Sequence, residues 1–399
     1  MQVKSIVHQL LKVVCADMHR VRRASLAASV LGALRGRRLT VTAIGRALPG
    51  RTSQKHAIKR ADRLLSNRHL HAQRVRYYQG LCRSLIGAHR RPVLLVDWSD
   101  LDAHKRHYLL RASLAVNGRS ATVYEEVHTL AGKEKRRTHR AFLKRLQALL
   151  PAGCRPIIVT DAGFRTPWFK QVAALGWDWV GRVRNRRKMR WCSGGRWFDA
   201  SRCYQQATRV AKYLGQAVLT RSNPLVCRLV VYRGKAKGRK HYTRDGQVAQ
   251  SRRSRTYAAR AREPWLLATS LPVTRTLAKQ VVRLYRLRMS IEEGFRDMKS
   301  HRFGLGLTYH RCHAVERMQV LVFIASLALL VLWLMGTATI AQGAHYQFQA
   351  NSVRHKRILS VLFVGLQMVQ DDRIILTQAA MKAAWSALRE LTEDHPWTD

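Results

Sequence analysis

The chain has 399 residues, 47% of them apolar, enough for two or three domains with real cores. Its 73 Lys and Arg face only 23 Asp and Glu, a formal charge of +50 spread along the whole sequence, which points to a polyanionic partner and to nucleic acid first. Histone-like and ribosomal binders are usually short and poor in Trp, whereas this chain has ten, and seven Cys, odd in number and never spaced Cys-x-x-Cys, suggest free thiols in a reducing compartment and neither a disulfide frame nor a zinc site.

In chain order, residues 1 to about 85 read as helical. No secretory leader is expected, because His8, Lys12 and Asp17 break the first apolar run. Ile6, Leu10, Leu11 and Val14 mark one amphipathic helix and Ala24 to Arg35 a second. Leu39 to Pro49 reads as a short helix closed by Pro49-Gly50. Thr52 to Leu65 reads as a basic helix, with Ala57, Ile58, Ala61, Leu64 and Leu65 inward and Gln54, Lys55, Lys59, Arg60 and Arg63 outward. The pair resembles a helix-turn-helix suited to a DNA groove, although a solvated basic helix has the same pattern.

Residues 91 to 185 read as α/β. Pro92 to Asp97 and Pro156 to Asp161 are short β-branched runs, each read as a buried strand with an aspartate at its C-terminal end. Between them lie a hairpin turned at Asn117-Gly118 and a basic helix from Arg137 to Leu150. A helix from Thr166 to Leu175 and a strand from Trp177 to Val183 follow. Strand, hairpin, helix, strand, helix, strand is the order of a ribonuclease H-like core, with acidic residues on the first and fourth strands. Residues from about 185 to 265 read as a β-rich insertion that touches DNA, containing a strand at Leu225 to Tyr232 and a basic loop from Arg233 to Arg262. Pro264 to Ser270 returns as a strand.

Thr276 to about Ser300 reads as one helix. Leu284, Leu287, Ile291, Phe295 and Met298 form its apolar stripe. Tyr285, Arg288, Glu292 and Lys299 follow the spacing Tyr-x2-Arg-x3-Glu-x6-Lys, with the last three on one helical face. A surface ion-pair ladder would have the same spacing. Together with the two aspartates, however, Glu292 completes a set of hard oxygen donors that suits Mg²⁺ and phosphoryl transfer. Asp100, Asp102, Glu293 and Asp297 are rival carboxylates, with Asp100 placed past the strand end and Glu293 about 100° round the helix from Glu292. Phe303 to Leu307 is a turn. Met318 to Ala341 carries no charge and is long enough to span a membrane, but its place late in the chain, without a second span, favours a buried core helix. Two helices, around Val353–Val369 and Thr377–Leu391, and a polar end follow.

Three separated motifs now combine. Val96-Asp-Trp-Ser-Asp100, Thr160-Asp-Ala-Gly-Phe164 and Ile291-Glu-Glu-Gly-Phe-Arg-Asp-Met-Lys-Ser300, with Asn67-Arg-His-Leu-His71 and Glu263-Pro-Trp-Leu-Leu-Ala-Thr269, resemble the DDE transposases of bacterial insertion sequences. More narrowly they resemble the cut-and-paste group with the Tyr-Arg-Glu-Lys signature, of the transposon Tn-ten type, and the likeness runs nearly the full length.

The resemblance implies a triad of Asp97, Asp161 and Glu292 that binds Mg²⁺, with Mn²⁺ able to substitute. It implies that Tyr285, Arg288 and Lys299 hold transposon-end phosphates and that Trp265 stacks on a flipped base. It implies cutting by nicking, hairpin formation and strand transfer, on transposon-end and target duplex DNA, by a dimer in a synaptic complex with no membrane. The expected location is the bacterial cytoplasm, at the nucleoid.

The expected architecture is a helical DNA-binding domain at 1–88 that contributes Lys55, Lys59 and Arg60. A ribonuclease H-like catalytic domain at 89–310 and a helical region at 311–399, suited to dimerisation, complete it. Gly294 departs from helix preference at a cost of ~1 kcal/mol against alanine. The alternatives are a nuclease of the same core without joining activity, a DNA-binding protein without catalysis, and a membrane protein.

Overall fold

The computed structural model describes residues 1–393 apart from positions 49, 51, 117–118, 185–186, 236–246, 354 and 372. The expectations for Pro49, for the Asn117-Gly118 turn, for part of the basic loop and for the last residues therefore fall outside the described residues. The chain is mixed α/β and divides into two compact units, Met1–Cys154 with Met289–Asp399, and Arg155–Arg288.

The first unit begins with five helices, α1 (Val3–Val14), α2 (Arg20–Gly36), α3 (Val41–Arg46), α4 (Gln54–Leu65) and α5 (Arg68–Ile86). Each amphipathic run buries the face its periodicity marks; α1 buries Ile6, Leu10, Leu11 and Val14. The Thr40 hydroxyl accepts from the Ala43 N–H at 3.1 Å and the Asn67 side-chain Oδ1 from the Leu70 N–H at 2.9 Å, fixing where α3 and α5 start. Gly45 lets α3 and α4 cross closely, since a Cβ there would stand 2.5 Å from the Ile58 Cα.

Three antiparallel strands follow, β1 (Val93–Asp100), β2 (Tyr108–Val116) and β3 (Arg119–His128), and then α6 (Arg136–Leu149). Here the expectation of a strand ending at Asp97 is corrected. Pairing with β2 continues through Trp98↔Leu110, Ser99↔Leu109 and Asp100↔Tyr108, so Asp97 lies inside the strand, opposite Arg111, and Asp100 ends it. Side chains stand off the strand at right angles to the ladder, so an aspartate does not interrupt the backbone pairing.

The second unit contains β4 (Ile157–Thr160), α7 (Thr166–Ala174), β5 (Asp178–Val183), β6 (Lys188–Trp191), β7 (Gly194–Asp199), β8 (Lys212–Leu219), β9 (Leu225–Tyr232), α8 (Arg252–Arg262), β10 (Trp265–Thr269) and α9 (Leu277–Leu287). Its strands lie in the order β4-β5-β10-β9-β8-β6-β7; β4 and β5 are parallel and the other pairs antiparallel. Phe169 of α7 stacks on Trp179 of β5 with ring centroids 4.2 Å apart, and Gly181 leaves the space for that ring. The basic loop is corrected at its end: residues 252–262 are helical. The Ser251 hydroxyl accepts from the Ser254 N–H at 3.1 Å, and arginine and alanine are good helix formers.

The chain then returns to the first unit with α10 (Met289–Lys299), α11 (Val315–Ala341), α12 (Val361–Gln370) and α13 (Gln378–Glu393). The single helix expected from Thr276 to Ser300 is thus two. The Arg288 N–H reaches back only three residues, to the Tyr285 carbonyl at 3.2 Å, and the ladder slips there. The helix expected from Val353 starts at Val361, where the Ser360 hydroxyl caps the Phe363 N–H at 3.2 Å. Before it, the Gln349 side chain binds the Val353 and Lys356 carbonyls and holds that stretch out of a helix. Helix α11 is long and apolar enough to cross a membrane, yet it is buried nearly all round as the core of this unit, packed by α2, α5, α12, α13 and β3. Gly336 of α11 and Gly365 of α12 permit the close approach of these two helices, against the Val361 and Leu332 backbones.

Candidate active site

In the first unit the site is organised around a buried ion pair. Arg111 and Glu125 face each other across β2 and β3 at 2.7 Å, with 1% and 0% of their side chains exposed. The Tyr78 hydroxyl of α5 and the Ser326 hydroxyl of α11 also donate to Glu125, at 2.9 and 2.7 Å. The Arg111 guanidinium lies 5.1 Å from the Phe295 ring centre and reaches the Met298 sulfur at 3.2 Å, both on α10. A pair this deep stabilises only because its hydrogen bonds are complete. What it achieves is to seat α10 on the hairpin.

That seating brings Lys299 to β1. Its ammonium donates to the Ser99 hydroxyl at 2.9 Å and to the Asp100 carbonyl at 3.2 Å. Ser99 and Asp97 are two apart on a strand, so they share a face. Burial lowers the Lys299 pKa, Asp100 and Asp97 oppose that shift, and Arg111 adds to it. Glu292 is exposed in the first turn of α10, where the helix dipole favours a carboxylate, and it is seven residues from Lys299, on the same helical face. The Trp98 N–H donates to the Asp97 carboxylate at 2.8 Å.

The rival carboxylates are engaged elsewhere. Asp297 is buried against Arg119 at 2.8 Å, and Glu293 pairs with Arg296 and approaches Arg119 at 4.0 Å. Asp100 holds Lys133 at 3.4 Å. Asp102 accepts from the Arg106 and His107 N–H groups at 3.1 and 3.0 Å. Burial pushes its carboxyl up, but these donors and the His107 ring outweigh burial and hold it below the usual range.

In the second unit Asp161 follows β4 directly, and its carboxylate accepts from the Gly163 N–H at 2.8 Å. Tyr285 is buried in α9. Burial raises its pKa, Arg288 and Arg182 pull it back, and Asp161 pushes it further up, so these groups share one neighbourhood. The Arg288 guanidinium lies 5.7 Å from the Tyr285 ring centre. Trp265, half-buried at the start of β10, meets the Tyr285 ring edge-on at 4.9 Å and the Tyr232 ring at 5.7 Å. Lys55, Lys59 and Arg60 are exposed on α4 in the first unit. The structure therefore gathers Lys299 with Asp97 in one unit, and Tyr285, Arg288 and Trp265 with Asp161 in the other.

Sequence reasoning missed Arg111 and Arg182. Each is a cation inside an otherwise apolar strand, a pattern that could have flagged them. It also missed a buried cluster of Asp102, His107 and His310, whose donor atoms lie within 4.8 Å of one another. His107 meets the Asp102 carboxylate at 3.1 Å and the His313 carbonyl at 2.9 Å, which ties the loop after β1 to the segment before α11. Its mixed nitrogen and oxygen donors differ from the all-carboxylate set expected from the sequence.

Carboxylates at or after strands, with a tyrosine and cations near them in a chain of charge +50, suit a protein that handles a phosphate polyanion. Comparison with protein families matches residues 88–330, more than half the chain, to the family described as Transposase DDE domain. The chain belongs to that family; it is a DNA-acting DDE transposase of insertion-sequence type, a class that generally uses divalent metal ions. Among curated proteins no relative matches the sequence.

Proposed function

We propose that this transposase works by cut and paste, in the Tyr-Arg-Glu-Lys group of the Tn-ten type, with a ribonuclease H-like catalytic domain at 89–310. Asp97, Asp161 and Glu292 hold Mg²⁺, for which three carboxylates are a fitting donor set. Bound there, the ions supply positive charge for the attacking and leaving oxygens of phosphoryl transfer.

The residues then do the positioning. Lys299, Arg288 and the Tyr285 hydroxyl hold end phosphates beside the carboxylates, where charge-assisted hydrogen bonds fix register. Water attacks the end phosphodiester and frees a 3′ hydroxyl. That oxygen attacks the opposite strand, a hairpin forms and is reopened, and the 3′ end attacks target DNA. Trp265 offers its indole to the base turned out in the hairpin. Lys55, Lys59 and Arg60 grip end DNA from the helical domain at 1–88, and two copies, joined through the region at 311–399, pair the ends at the nucleoid.

The observation that supports this reading most is that signature residues lie near carboxylates at or after strands: Lys299 beside Asp97 and Asp100, and Tyr285 beside Asp161. The test is cleavage of a linear DNA carrying the element's own ends, with Mg²⁺, by the intact chain, Glu292→Ala and Glu293→Ala. Double-strand breaks with hairpin ends that vanish only in Glu292→Ala are expected. Cleavage that survives Glu292→Ala and is lost in Glu293→Ala would move the triad to the neighbouring residue. Binding without cleavage by the intact chain would leave a DNA-binding protein.

A further inference from the structure

We propose that a pocket of about 730 Å³ in the second unit, formed by the N-terminal end of α7, Arg187 and the turn between β8 and β9, holds a backbone phosphate of the DNA strand that flanks Asp161. The assignment rests on the reading of Asp161 as an active-site residue, and the closing experiment separates the two.

Three guanidiniums, those of Arg165, Arg187 and Arg221, line the pocket together with Thr166, Thr220 and Asn223. Among the described residues no carboxylate pairs with any of the three. The fourth cation of the wall, Lys188, is already bound to Asp199 at 3.1 Å. Arg187 is half-buried and stands close enough to Arg165 that burial first, and then that like charge, lowers its pKa. Two cations held together at the cost of repulsion are satisfied by an anion between them, and guanidinium forks match phosphate oxygens.

The remaining walls suit the same ligand. Helix α7 has nine residues and begins at Thr166, so its positive end faces this region. The Thr166 and Thr220 hydroxyls are hydrogen-bonded at 2.9 Å, and the Thr220 N–H donates to the Lys188 carbonyl at 2.9 Å. Thr220 has φ of +63°, a region that a β-branched residue enters only when its surroundings hold it there. No aromatic ring lines the pocket among the described residues, so it offers no platform for a base and fits backbone alone. Arg165 lies four residues after Asp161, at most about 14 Å of extended chain, so one short segment carries both the pocket's edge and Asp161.

The test uses the intact transposase and a duplex of the element's own end in which single phosphates are replaced by neutral methylphosphonates. One flanking position should weaken binding of the intact chain by about tenfold to a hundredfold, and by nothing further in Arg165→Gln/Arg187→Gln. The salt slope of binding should fall by about 1 in that variant and recover in Arg187→Lys, which keeps the charge. Penalties that simply add at every position, or an unchanged slope, would overturn the assignment. If the double variant does not fold, judged by circular dichroism, Arg187→Gln alone is read the same way. Inorganic phosphate at matched ionic strength is a further arm: binding of the free ion with no position-specific effect on DNA also overturns it. Glu292→Ala on the same duplex reports separately on the triad, because it alters cleavage and leaves the methylphosphonate pattern in place.

Discussion

Protonation of His139 should make the protein acid-sensitive, and the size of the expected effect follows from its surroundings. The Trp98 indole, next to Asp97, donates to the His139 Nε2 at 3.0 Å, which requires a bare nitrogen there. The ring is 8% exposed; burial, with the nearby His128, brings its pKa from 6.5 down to about 4. A group whose folded pKa is depressed contributes stability above its unfolded value and loses it as pH falls through the folded one. The window is therefore pH 6.5 to about 4, and the full loss is about 3 kcal/mol at ~1.4 kcal/mol per pH unit. Urea unfolding of the intact chain and of His139→Gln, which keeps an acceptor for Trp98 but does not titrate, should be followed from about pH 7.5 to 4.5. The intact chain should lose up to about 3 kcal/mol relative to the variant, while carboxylate titration cancels in the difference. A difference that stays flat across the window would refute the neutral, indole-bonded ring. End cleavage should fall in the same window, because Trp98 and Asp97 share a strand.

Glu125→Gln leaves Arg111 buried without its counter-charge and should cost about 3–5 kcal/mol in unfolding measurements, whereas Arg111→Met/Glu125→Leu should recover most of it. Lys299 has a folded pKa below its unfolded 10.5, so stability should rise with pH between the two values, and Lys299→Met should abolish that rise in unfolding curves recorded from neutral pH upward. Gly45→Ala forces a methyl onto the Ile58 backbone and should cost about 1–3 kcal/mol, lowering Tm and weakening binding to end DNA.

Much of the fold was legible because local patterns and tertiary needs agree. The β-branched runs at 93–96 and 157–160 are buried strands, and the stripe of Ile6, Leu10, Leu11 and Val14 is a buried helix face. Where the sequence misled, the deciding contact left no mark in the hydrophobic pattern. The extension of β1 through Asp100 depends on its pairing with β2, which no property of Trp98 or Ser99 announces. The slip at Arg288 interrupts a run whose apolar spacing continues unbroken on both sides, so periodicity could not place it. The helix at 252–262 has almost no apolar face, and without one the hydrophobic pattern is silent while propensity and the Ser251 cap still act. For the site, spacing separates Glu292 from Glu293, and Glu293 pairs locally with Arg296, but the ion pairs that occupy Asp297 and Asp100 join distant segments.

Helix α10 shows what such long-range contacts do for the fold and, on the proposed reading, for the chemistry. Its inner side carries Ile291, Phe295, Asp297 and Met298, all buried, and is fixed by Arg111 and Arg119 from the hairpin. Its outer side carries Glu292 and Lys299, and Lys299 is fixed to β1 at Ser99. A helix anchored on both sides has little freedom to rotate or slide, so a rotation of even one residue, about 100°, would break both sets of contacts at once. Phosphoryl transfer needs its groups held within a fraction of an ångström of the productive geometry. The buried Arg111–Glu125 pair contributes little net stability against an apolar substitute. Its physical role is to fix α10 in one register, and with it the positions of Glu292 and Lys299 relative to the strand that carries Asp97.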